Sequence, residues 1–483
     1  MVRRCDGAKV RESKTKVRRY HGPPDARASH RTVRPDRRTL EPSLHRTARG
    51  TSGEHVASLK IVDSTNRRAV AALLSPERTR DAATDARVAA IVSDVRRQGD
   101  RALLRYAKTL DGLSEPLEIS ADEMRSAAAA VPRPVRAAIR VAARNIRAVA
   151  KRQVPRTWRV TVTTGVRVEQ RVVPLDRVGC YVPGGRYPLP SSLLMTAIPA
   201  VAAGVREVVA VCPRPAPVVM AAALEAGVSR LFRLGGAHAI AALAYGTQSV
   251  QRVDKIVGPG NRWVASAKAL VASDCGIDFY AGPSEILLVS SKGNPGWIAA
   301  DLIAQAEHDP DARAVLITPS RRLATAVAAE VAARMPVEGP AKLSLRHHGG
   351  VIVTRSMAEA MALANAAAPE HMVVDDEAMA AQVKCVGSLF IGKWSAQVAG
   401  DYAIGSNHVL PTAGAARVRG GLSAADFVRQ ITVQRVTRAG LSRIGGAVID
   451  LARAEGLHAH AESIVVRLGK TRGTGASVDA PKS

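Results

Sequence analysis

The stretch REVVAVCPRPAPVVMAAALEAGVSRLFRLGG, residues 206–236, decides the fold class of the chain. Two short apolar runs, REVVAVCP and RLFRLGG, flank an Ala-rich segment that ends in AAALEAG. Short apolar strands that alternate with helices of this length are typical of βαβ units around a parallel sheet. The same alternation continues through AIAALAYG and KIVGPGN. We therefore predict an α/β unit in this part of the chain.

A second set of alternating segments follows from residue 284 onward. Its apolar runs are EILLVSS, AVLITPS, GGVIVT, HMVVDD and GSLFIG, with helical segments between them. The dinucleotide fingerprint GxGxxG is missing from both sets. Two glycine-rich turns, PGG at 183–185 and GPGN at 258–261, follow predicted strands. Either turn could bring backbone N–H groups to a pyrophosphate, although tight turns without a ligand are at least as common.

The regions around these two units have simpler patterns. Residues 85–112 are strongly helical with a break at Gly99, and residues 135–152 predict a further helix. Residues 159–175 alternate in the manner of antiparallel strands. From Ser423 onward we predict a helical tail that finishes in an extended SIVVRL, residues 463–468.

The composition is that of an ordinary globular protein. Of the 483 residues, 47% are hydrophobic and 23% are charged, which allows two or three domains with a large core. No apolar run approaches the length of about 20 residues that a membrane span needs. Five cysteines lie far apart and form no CxxC pair. This pattern favours a reducing, cytoplasmic location over a disulfide framework.

Of the net charge of +27, +9 lies in the first 55 residues of the chain. Residues 1–55 contain 15 Lys and Arg against 6 Asp and Glu, without apolar periodicity, and predict a disordered head. A transit peptide is one interpretation, but its acidic residues favour a solvated tail or an over-long translation start. We expect no nucleic-acid binding, because the remaining charge is spread out and no stacking aromatics accompany it.

The string LIAQAEHDP, residues 302–310, puts Gln305 and His308 one helical turn apart. Residues three apart are neighbours on a helix, so both side chains can reach one point. Gln305 also continues an apolar, core-facing stripe, and an unpaired buried amide costs about 1–3 kcal/mol. Gln305 therefore needs either backbone partners at a helix end, which is the more common situation, or a bound group. Glu307 points away from this face.

Two further places have side chains suited to proton transfer or metal binding. In APEH, Glu370 lies beside His371 in a turn before a strand. Such a pair can act as general base and water activator, or it can be a surface turn. The loop 399–412 contains Asp401, a suitable hard ligand for Zn²⁺, and His408, which could support it.

Two more motifs add candidate residues. In EGLHAH, Gly456 is typical of a residue just after a helix, which predicts His458 and His460 on an extended segment with side chains on the same side. Ser284 precedes the strand EILLV, and its hydroxyl could hold a substrate group. Four side chains would together make a metal site with nitrogen and oxygen ligands: Gln305, His308, Asp401 and one of the two tail histidines.

Eight strings occur in one order with consistent spacing: VGCYVPGGRYPLPSS, GGAHAIAALAYGT, VDKIVGPGN, AGPSE, QAEHDPDA, APEH, AGDYAIGSNHVLPT and EGLHAHAESI. Together they closely resemble the histidinol dehydrogenase family, over about Leu59 to Lys470. So many motifs in one order are specific, although each alone is weak. The basic head and the high positive charge are atypical of that family.

The resemblance implies an enzyme with zinc and NAD as cofactors that oxidises L-histidinol through L-histidinaldehyde to L-histidine, using two NAD⁺. It implies an α/β fold of two incomplete Rossmann-like domains with parallel sheets, similar to aldehyde dehydrogenases. It also implies a homodimer in which a small helical C-terminal tail crosses to the partner and completes its site. The implied ligands of one zinc ion per subunit are Gln305, His308, Asp401 and His460.

The resemblance also implies roles for individual residues. His371 would take the hydroxyl proton, and Glu370 would activate water to hydrate the aldehyde. Tyr181 and Asn261 would contact the cofactor, whereas His238 stands where the family usually has Gln, which puts that contact in doubt. The implied substrate pocket contains Ser284, Gln305, His308, His371, Asp401, Glu455 and His460.

We predict five parts of the chain from these patterns. A basic disordered extension, 1–56, precedes a discontinuous first α/β domain, 57–174 and 284–422, which carries the zinc and catalytic loops. The NAD-binding α/β domain is 175–283. A dimer-crossing tail, 423–471, and a disordered end, 472–483, complete the chain.

Rival functions can be separated from this one. A related zinc and NAD dehydrogenase could act on another amino alcohol or diol, but Glu455 favours histidinol because a carboxylate suits its amino group or imidazole. A basic nucleic-acid-binding protein would show salt-dependent retention on DNA that is lost without residues 1–55. An inactive homologue is disfavoured because every expected catalytic and ligand position is intact.

Overall fold

The computed structural model describes residues 59–75, 81–185, 187–280 and 282–469. The predicted extension, 1–56, and the predicted end, 472–483, lie outside these residues. The described strands are β1 (Ile61–Asp63), β2 (Glu118–Ile119), β3 (Trp158–Thr163), β4 (Val166–Pro174), β5 (Arg177–Tyr181), β6 (Glu207–Val211), β7 (Arg230–Phe232), β8 (Lys255–Val257), β9 (Gly276–Ile277), β10 (Glu285–Val289), β11 (Arg313–Thr318), β12 (Gly349–Val353), β13 (His371–Val374), β14 (Ser388–Ile391) and β15 (Val428–Val436).

The helices among the described residues are mostly two to four turns long. They are α1 (Arg67–Leu74), α2 (Ala82–Gln98), α3 (Asp100–Tyr106), α4 (Ala121–Ala130), α5 (Arg133–Gln153), α6 (Pro190–Ala203), α7 (Pro217–Ala226), α8 (Gly236–Tyr245), α9 (Arg262–Val271), α10 (Pro295–Ala306), α11 (Arg321–Arg334), α12 (Ala341–His348), α13 (Met357–Ala367), α14 (Glu377–Ala380), α15 (Gln397–Tyr402), α16 (Arg438–Ala454) and α17 (His458–Leu468). None of the described helices is long and apolar enough to cross a membrane.

The first sheet consists of six parallel strands in the order β1-β12-β11-β10-β13-β14. Every residue of β10 is buried, as expected for a strand that helices cover on both faces. The chain runs outward through β10, β11 and β12 and then returns to β13, which pairs with the other side of β10. Because of this return, Ile286 and His371 are direct neighbours in the sheet.

The second sheet has the order β2-β7-β6-β5-β8-β9. Its strands are parallel except for the short edge strand β2, which is antiparallel to β7. The chain again runs outward, through β5, β6 and β7, and returns to β8 on the other side of β5. The crevice at the carboxyl ends of β5 and β8 is therefore a topological switch point, where open α/β sheets bind ligands. The predicted two α/β units with parallel sheets are confirmed.

The helices between residues 82 and 153 pack on the second sheet, which differs from the predicted boundary. Val88 and Val92 of α2 share a core with Ile240 of α8. Ile139 and Ile146 of α5 are buried with the apolar side of α6. The periodicity of these helices predicts that each has an apolar face, but it does not predict which of two sheets that face covers.

The third sheet is antiparallel, in the order β15-β4-β3, and joins the tail to the body. The predicted pair of antiparallel strands is confirmed. The prediction of a helical tail from Ser423 is wrong at Val428–Val436, which pairs with β4 along its whole length. The prediction of an extended SIVVRL is also wrong, because it is part of α17. Tertiary packing of Ile449 on Val465 overrides the β-branched composition of that string.

The tail also meets the turn between β3 and β4 through a contact between two glycines. Thr437 N donates to the carbonyl oxygen of Gly165, which has a φ of +85°. A Cβ at Gly440 would overlap the backbone of Gly165, so the two segments can approach this closely only without side chains.

Replacing this glycine should loosen the tail. We expect Gly440→Ala to destabilise the protein by about 1–3 kcal/mol, because the backbone it meets cannot move aside cheaply. Gly446→Ala in the same helix is the control, since among the described residues an added Cβ there meets nothing within 4 Å. That variant should be neutral or stabilising by up to about 1 kcal/mol. Urea unfolding of both variants measures the difference, and equal effects would contradict the packing argument.

Candidate active site

His371 has a buried imidazole ring. One of its two nitrogens forms a hydrogen bond, and the other forms none among the described residues. Its Nδ1 lies 2.9 Å from the carbonyl oxygen of Glu285, so Nδ1 carries the proton and donates to it. Its Nε2 is buried without a hydrogen-bond partner among the described residues and lies 3.8 Å from Oδ1 of Asp401. Burial lowers the pKa of His371, and the negative charge of Asp401 offsets this only in part. The side chain is therefore a neutral base with Nε2 available.

Glu370 directly precedes His371, the first residue of β13, and has a buried carboxyl group. Its Oε2 accepts a hydrogen bond of 2.7 Å from the backbone N–H of Glu285 and lies 3.5 Å from Nδ1 of His371. Burial raises its pKa well above the usual range, and the negative charges of Glu285 and Asp401 act in the same direction. A carboxyl group with a raised pKa is a stronger base when ionised, as general base catalysis near neutral pH requires.

Asp401 belongs to the short helix α15 rather than to a loop, and two side chains orient it. Its Oδ2 accepts a hydrogen bond of 2.7 Å from Nε2 of Gln397, one turn earlier on the helix. Its backbone carbonyl accepts from Nδ1 of His408 at 2.9 Å, which agrees with the supporting role expected for that residue. Gln397 was not among the predicted residues, although its spacing of four residues from Asp401 was a usable signal.

Gln305 lies at the end of α10 with its amide unsatisfied. The residue is 1% exposed, and neither Oε1 nor Nε2 has a hydrogen-bond partner among the described residues. His308 lies just beyond the helix, which ends at Ala306, but its backbone N–H donates to the carbonyl oxygen of Gln305, so the two residues still lie one turn apart. Its imidazole is close enough to His371 and His408 to lower the pKa of both, after the larger effect of burial.

These groups suit a metal such as zinc. An imidazole nitrogen and a carboxylate are common zinc ligands, whereas an amide oxygen is an unusual one. The unsatisfied amide of Gln305 nevertheless costs about 1–3 kcal/mol unless something binds it. Among the described residues, no group of three or more His, Cys, Asp or Glu side chains could hold a metal ion. His308 and Asp401 are only two of that kind, so a complete site needs Gln305 and a further ligand.

The tail residues expected at the site lie at the end of α16 and the start of α17. Glu455 ends α16, Gly456 has the expected positive φ of +75°, and His460 lies in the first turn of α17. Because the segment is helical, His458 and His460 point roughly 200° apart, so the prediction that they share one side was wrong. Both Glu455 and His460 are exposed, and no hydrogen bond of the described residues joins either to Gln305 or to Asp401.

The expected cofactor residues lie at the switch point of the second sheet. Tyr181 ends β5 and is buried, and its hydroxyl accepts a hydrogen bond of 3.1 Å from Gly236 N. Asn261 is exposed and caps α9, because its Oδ1 accepts from the N–H groups of Trp263 and Val264. The two glycine-rich turns therefore flank one crevice.

His238 lies beneath that crevice. It is fully buried, its Nε2 lies 2.9 Å from Oδ2 of Asp111, and its Nδ1 has no partner among the described residues. The same carboxylate oxygen accepts from the backbone N–H of Gly235, just before α8. His238 thus joins this loop to Asp111 rather than lying on the surface of the crevice.

Comparisons with known proteins agree with this arrangement. A family model described as histidinol dehydrogenase matches residues 74–468. Histidinol dehydrogenase of Cereibacter sphaeroides is 45% identical over 413 residues, which cover 83% of this chain and 95% of that protein. Histidinol dehydrogenase of Syntrophotalea carbinolica is 44% identical over 425 residues, with coverages of 85% and 98%. The crystal structure of histidinol dehydrogenase from Elizabethkingia anophelis matches with a TM-score of 0.80 at 32% identity, covering 85% of this chain and 98% of that one.

Two parallel sheets, a buried acid–base pair and these likenesses make the chain an α/β oxidoreductase. It belongs to the histidinol dehydrogenase family, as the eight strings predicted. The match runs through both α/β units and into the tail, so it includes every candidate residue discussed above.

The raised pKa of Glu370 predicts a pH-dependent effect on stability. Because the folded state binds this proton more tightly than the unfolded state, stability is lost as the pH rises through the folded pKa. Glu370→Gln keeps an acceptor for Glu285 N–H without the charge. We expect it to raise the thermal midpoint of metal-free protein at about pH 8.5 and to change it much less at about pH 5.

The control for this experiment is Glu359, a partly exposed glutamate. The pKa of Glu359 is lowered by its hydrogen bonds to Arg355, so it is ionised at both pH values. Glu359→Gln should therefore have the same effect at both. If Glu370→Gln also shifts the thermal midpoint equally at the two pH values, burial does not raise the pKa of the Glu370 carboxyl group.

Proposed function

We propose that the chain oxidises L-histidinol through L-histidinaldehyde to L-histidine, with two NAD⁺ and one zinc ion per subunit, in the last steps of histidine biosynthesis. The observation that carries the proposal is the free Nε2 of His371, 3.8 Å from Oδ1 of Asp401. A neutral base is thus held beside a carboxylate that could bind a metal, as the oxidation of an alcohol on a metal requires. Family membership makes histidinol the first substrate to test.

In the first oxidation His371 accepts the hydroxyl proton at Nε2. The hydrogen bond from its Nδ1 to the carbonyl of Glu285 keeps the ring in the required tautomer. When bound, NAD⁺ supplies the hydride acceptor. The charge of Asp401 stabilises the imidazolium that forms, which explains why a carboxylate lies near a base whose pKa is otherwise lowered by burial.

In the second oxidation Glu370 accepts a proton from the water that hydrates the aldehyde. Its raised pKa makes it a better proton acceptor than an exposed carboxylate. The hydrogen bond from Glu285 N–H occupies Oε2, which leaves Oε1 for the water. The carboxyl group then passes this proton to solvent, because the nearest nitrogen of His371, Nδ1, already carries a proton.

The zinc part of the proposal rests on Gln305, His308 and Asp401, with His460 of the partner subunit as the fourth ligand. The unsatisfied buried amide of Gln305 supports it, as does Oδ1 of Asp401, which accepts no hydrogen bond from the described residues. Zinc bound there would orient the imidazole and amino nitrogens of the substrate. Ser284, half-buried just before β10, and the partner's Glu455 would complete the substrate pocket.

The NAD part rests on the switch point between β5 and β8, beside Tyr181 and Asn261. Asn261 caps α9, so the positive end of this helix faces the same crevice. This arrangement suits a pyrophosphate and needs no GxGxxG fingerprint. The cytoplasmic location stays a prediction, to which the free thiols of Cys180, Cys212, Cys275 and Cys385 add support.

The homodimer rests on the exposed surface of the third sheet and the tail. Trp158, Val160 and Val162 alternate along the edge strand β3 and are 49%, 47% and 65% exposed, so they form an apolar face. The helices α16 and α17 pack mainly on each other and leave Leu451 and Val466 exposed. A second copy of the chain could cover these surfaces and bring His460 to the metal ligands.

The direct test is NADH production from L-histidinol. We expect turnover by the zinc-loaded protein, loss after exhaustive chelation, and recovery when zinc is added back. The related activity on another amino alcohol or diol is the alternative, so a panel of such alcohols is measured beside histidinol. Preference for another alcohol, or full activity after chelation, would contradict the proposal.

Mixing of inactive subunits tests whether sites are shared. Gln305→Ala and His460→Ala should each be inactive as homodimers. In a heterodimer of the two, one site combines the intact Gln305 of one chain with the intact His460 of its partner. Random pairing should therefore restore about a quarter of the wild-type sites.

The control mixture is Gln305→Ala with His308→Ala. Both changes affect ligands that each chain supplies to its own site, so no heterodimer has an intact site. Recovery in both mixtures, or in neither, would contradict the assignment of His460 to the partner.

A further inference from the structure

A lysine and an aspartate form a buried ion pair in the second α/β unit. Lys268 of α9 is 3% exposed, and its Nζ contacts Oδ1 of Asp278, which follows β9. Lys268 lies on the core-facing stripe of α9, between Val264 and Val271. A charged residue on such a stripe needs a specific partner, because an isolated buried charge is very costly.

Both members of the pair bind the same glycine. Lys268 Nζ donates to the carbonyl oxygen of Gly258 at 3.0 Å, and Oδ2 of Asp278 accepts from Gly258 N at 2.8 Å. The remaining oxygen of the carboxylate also accepts from Phe279 N at 2.7 Å. The two peptide groups that flank Gly258 are therefore fixed by one ion pair.

Gly258 is the first residue of the turn between β8 and α9. Its φ of +118° is one that L side chains rarely adopt, and an added Cβ would overlap the backbone of Tyr181. Gly258 belongs to neither a strand nor a helix, so regular backbone–backbone hydrogen bonds do not hold its peptide groups. The side chains of the ion pair supply these hydrogen bonds instead.

Stability alone does not account for such a pair. Removing two charges from water is costly, and apolar residues of similar size often replace a buried ion pair without loss of stability. An apolar pair would, however, leave the N–H and C=O of Gly258 without partners. The pair instead fixes the backbone conformation of the Gly258 turn.

The turn leads directly to backbone donors at the crevice. After Pro259, which has no N–H, the amides of Gly260 and Asn261 have no acceptor among the described residues. They lie at the amino end of α9, at the switch point of the sheet. Free amides at such a position suit an anionic phosphate group.

We propose that Lys268 and Asp278 are positioning residues that hold the Gly258 turn in the conformation that receives the pyrophosphate of the dinucleotide. The inference rests on the proposed use of NAD⁺. Neither side chain touches the cofactor, since both are buried beneath the turn. Loss of the pair therefore weakens binding of NAD⁺ without affecting the histidinol site on the first sheet.

The test measures the affinities of Lys268→Met for NAD⁺ and for L-histidinol separately, by titration calorimetry on the full-length, zinc-loaded protein. We expect the Kd for NAD⁺ to rise at least tenfold and the Kd for histidinol to change less than twofold. Asp278→Asn is the second variant, for use if the first does not fold, and should give the same split. Lys292→Met is the matched control, because Lys292 pairs with Asp376 on the exposed surface, and it should change neither Kd.

The outcomes separate this inference from the function it rests on. If Lys268→Met has a lower thermal midpoint but binds NAD⁺ as the wild type does, the pair is only structural and the inference is wrong. A parallel loss of histidinol affinity would also overturn it, because the damage would then be general. If the wild-type protein does not bind NAD⁺, the proposed function itself fails.

Discussion

The backbone of one residue, Glu285, holds both side chains of the acid–base pair. Its N–H binds Oε2 of Glu370, and its carbonyl accepts the proton on Nδ1 of His371. Ile286 and His371 are the first pair in the parallel pairing of β10 and β13. The two bonds of Glu285 lie immediately before that pair. A shift of one residue between these strands would turn both side chains to the wrong faces. The relative position of these two side chains is thus set by the sheet.

The fold class could be predicted because buried parallel strands and covering helices leave a plain alternation in the sequence. The failures concern contacts between distant segments. Val428–Val436 forms a strand because β4, more than 250 positions earlier in the chain, offers an open edge, and no local pattern contains that information. The string SIVVRL favours a strand by its β-branched residues, yet packing of Val465 on Ile449 makes it helical. The helical segments predicted at residues 85–112 and 135–152 are confirmed, but α4 (Ala121–Ala130) and the sheet that these helices cover were not predicted.

Parts of the candidate site could be predicted where a short stretch of sequence already shows the functional side chains. Glu370 and His371 are adjacent in the sequence, and Gln305 stands out as a polar residue on an apolar stripe. The backbone of Glu285 could not be recognised, because its role depends on strand pairing and not on its side chain. Lys268 breaks the stripe of α9 as Gln305 breaks that of α10, so the same signal was present but was not used.

The exposed edge of β3 also bears on the folding and association of the newly synthesised chain. Within the part of the chain that the structure describes, one side of this strand has no neighbour in its sheet, and Trp158, Val160 and Val162 line one of its faces. Such an edge pairs readily with any strand it meets, including that of a wrong protein. In the proposed homodimer, a second copy that covers this edge would therefore also protect the chain from wrong pairing and aggregation.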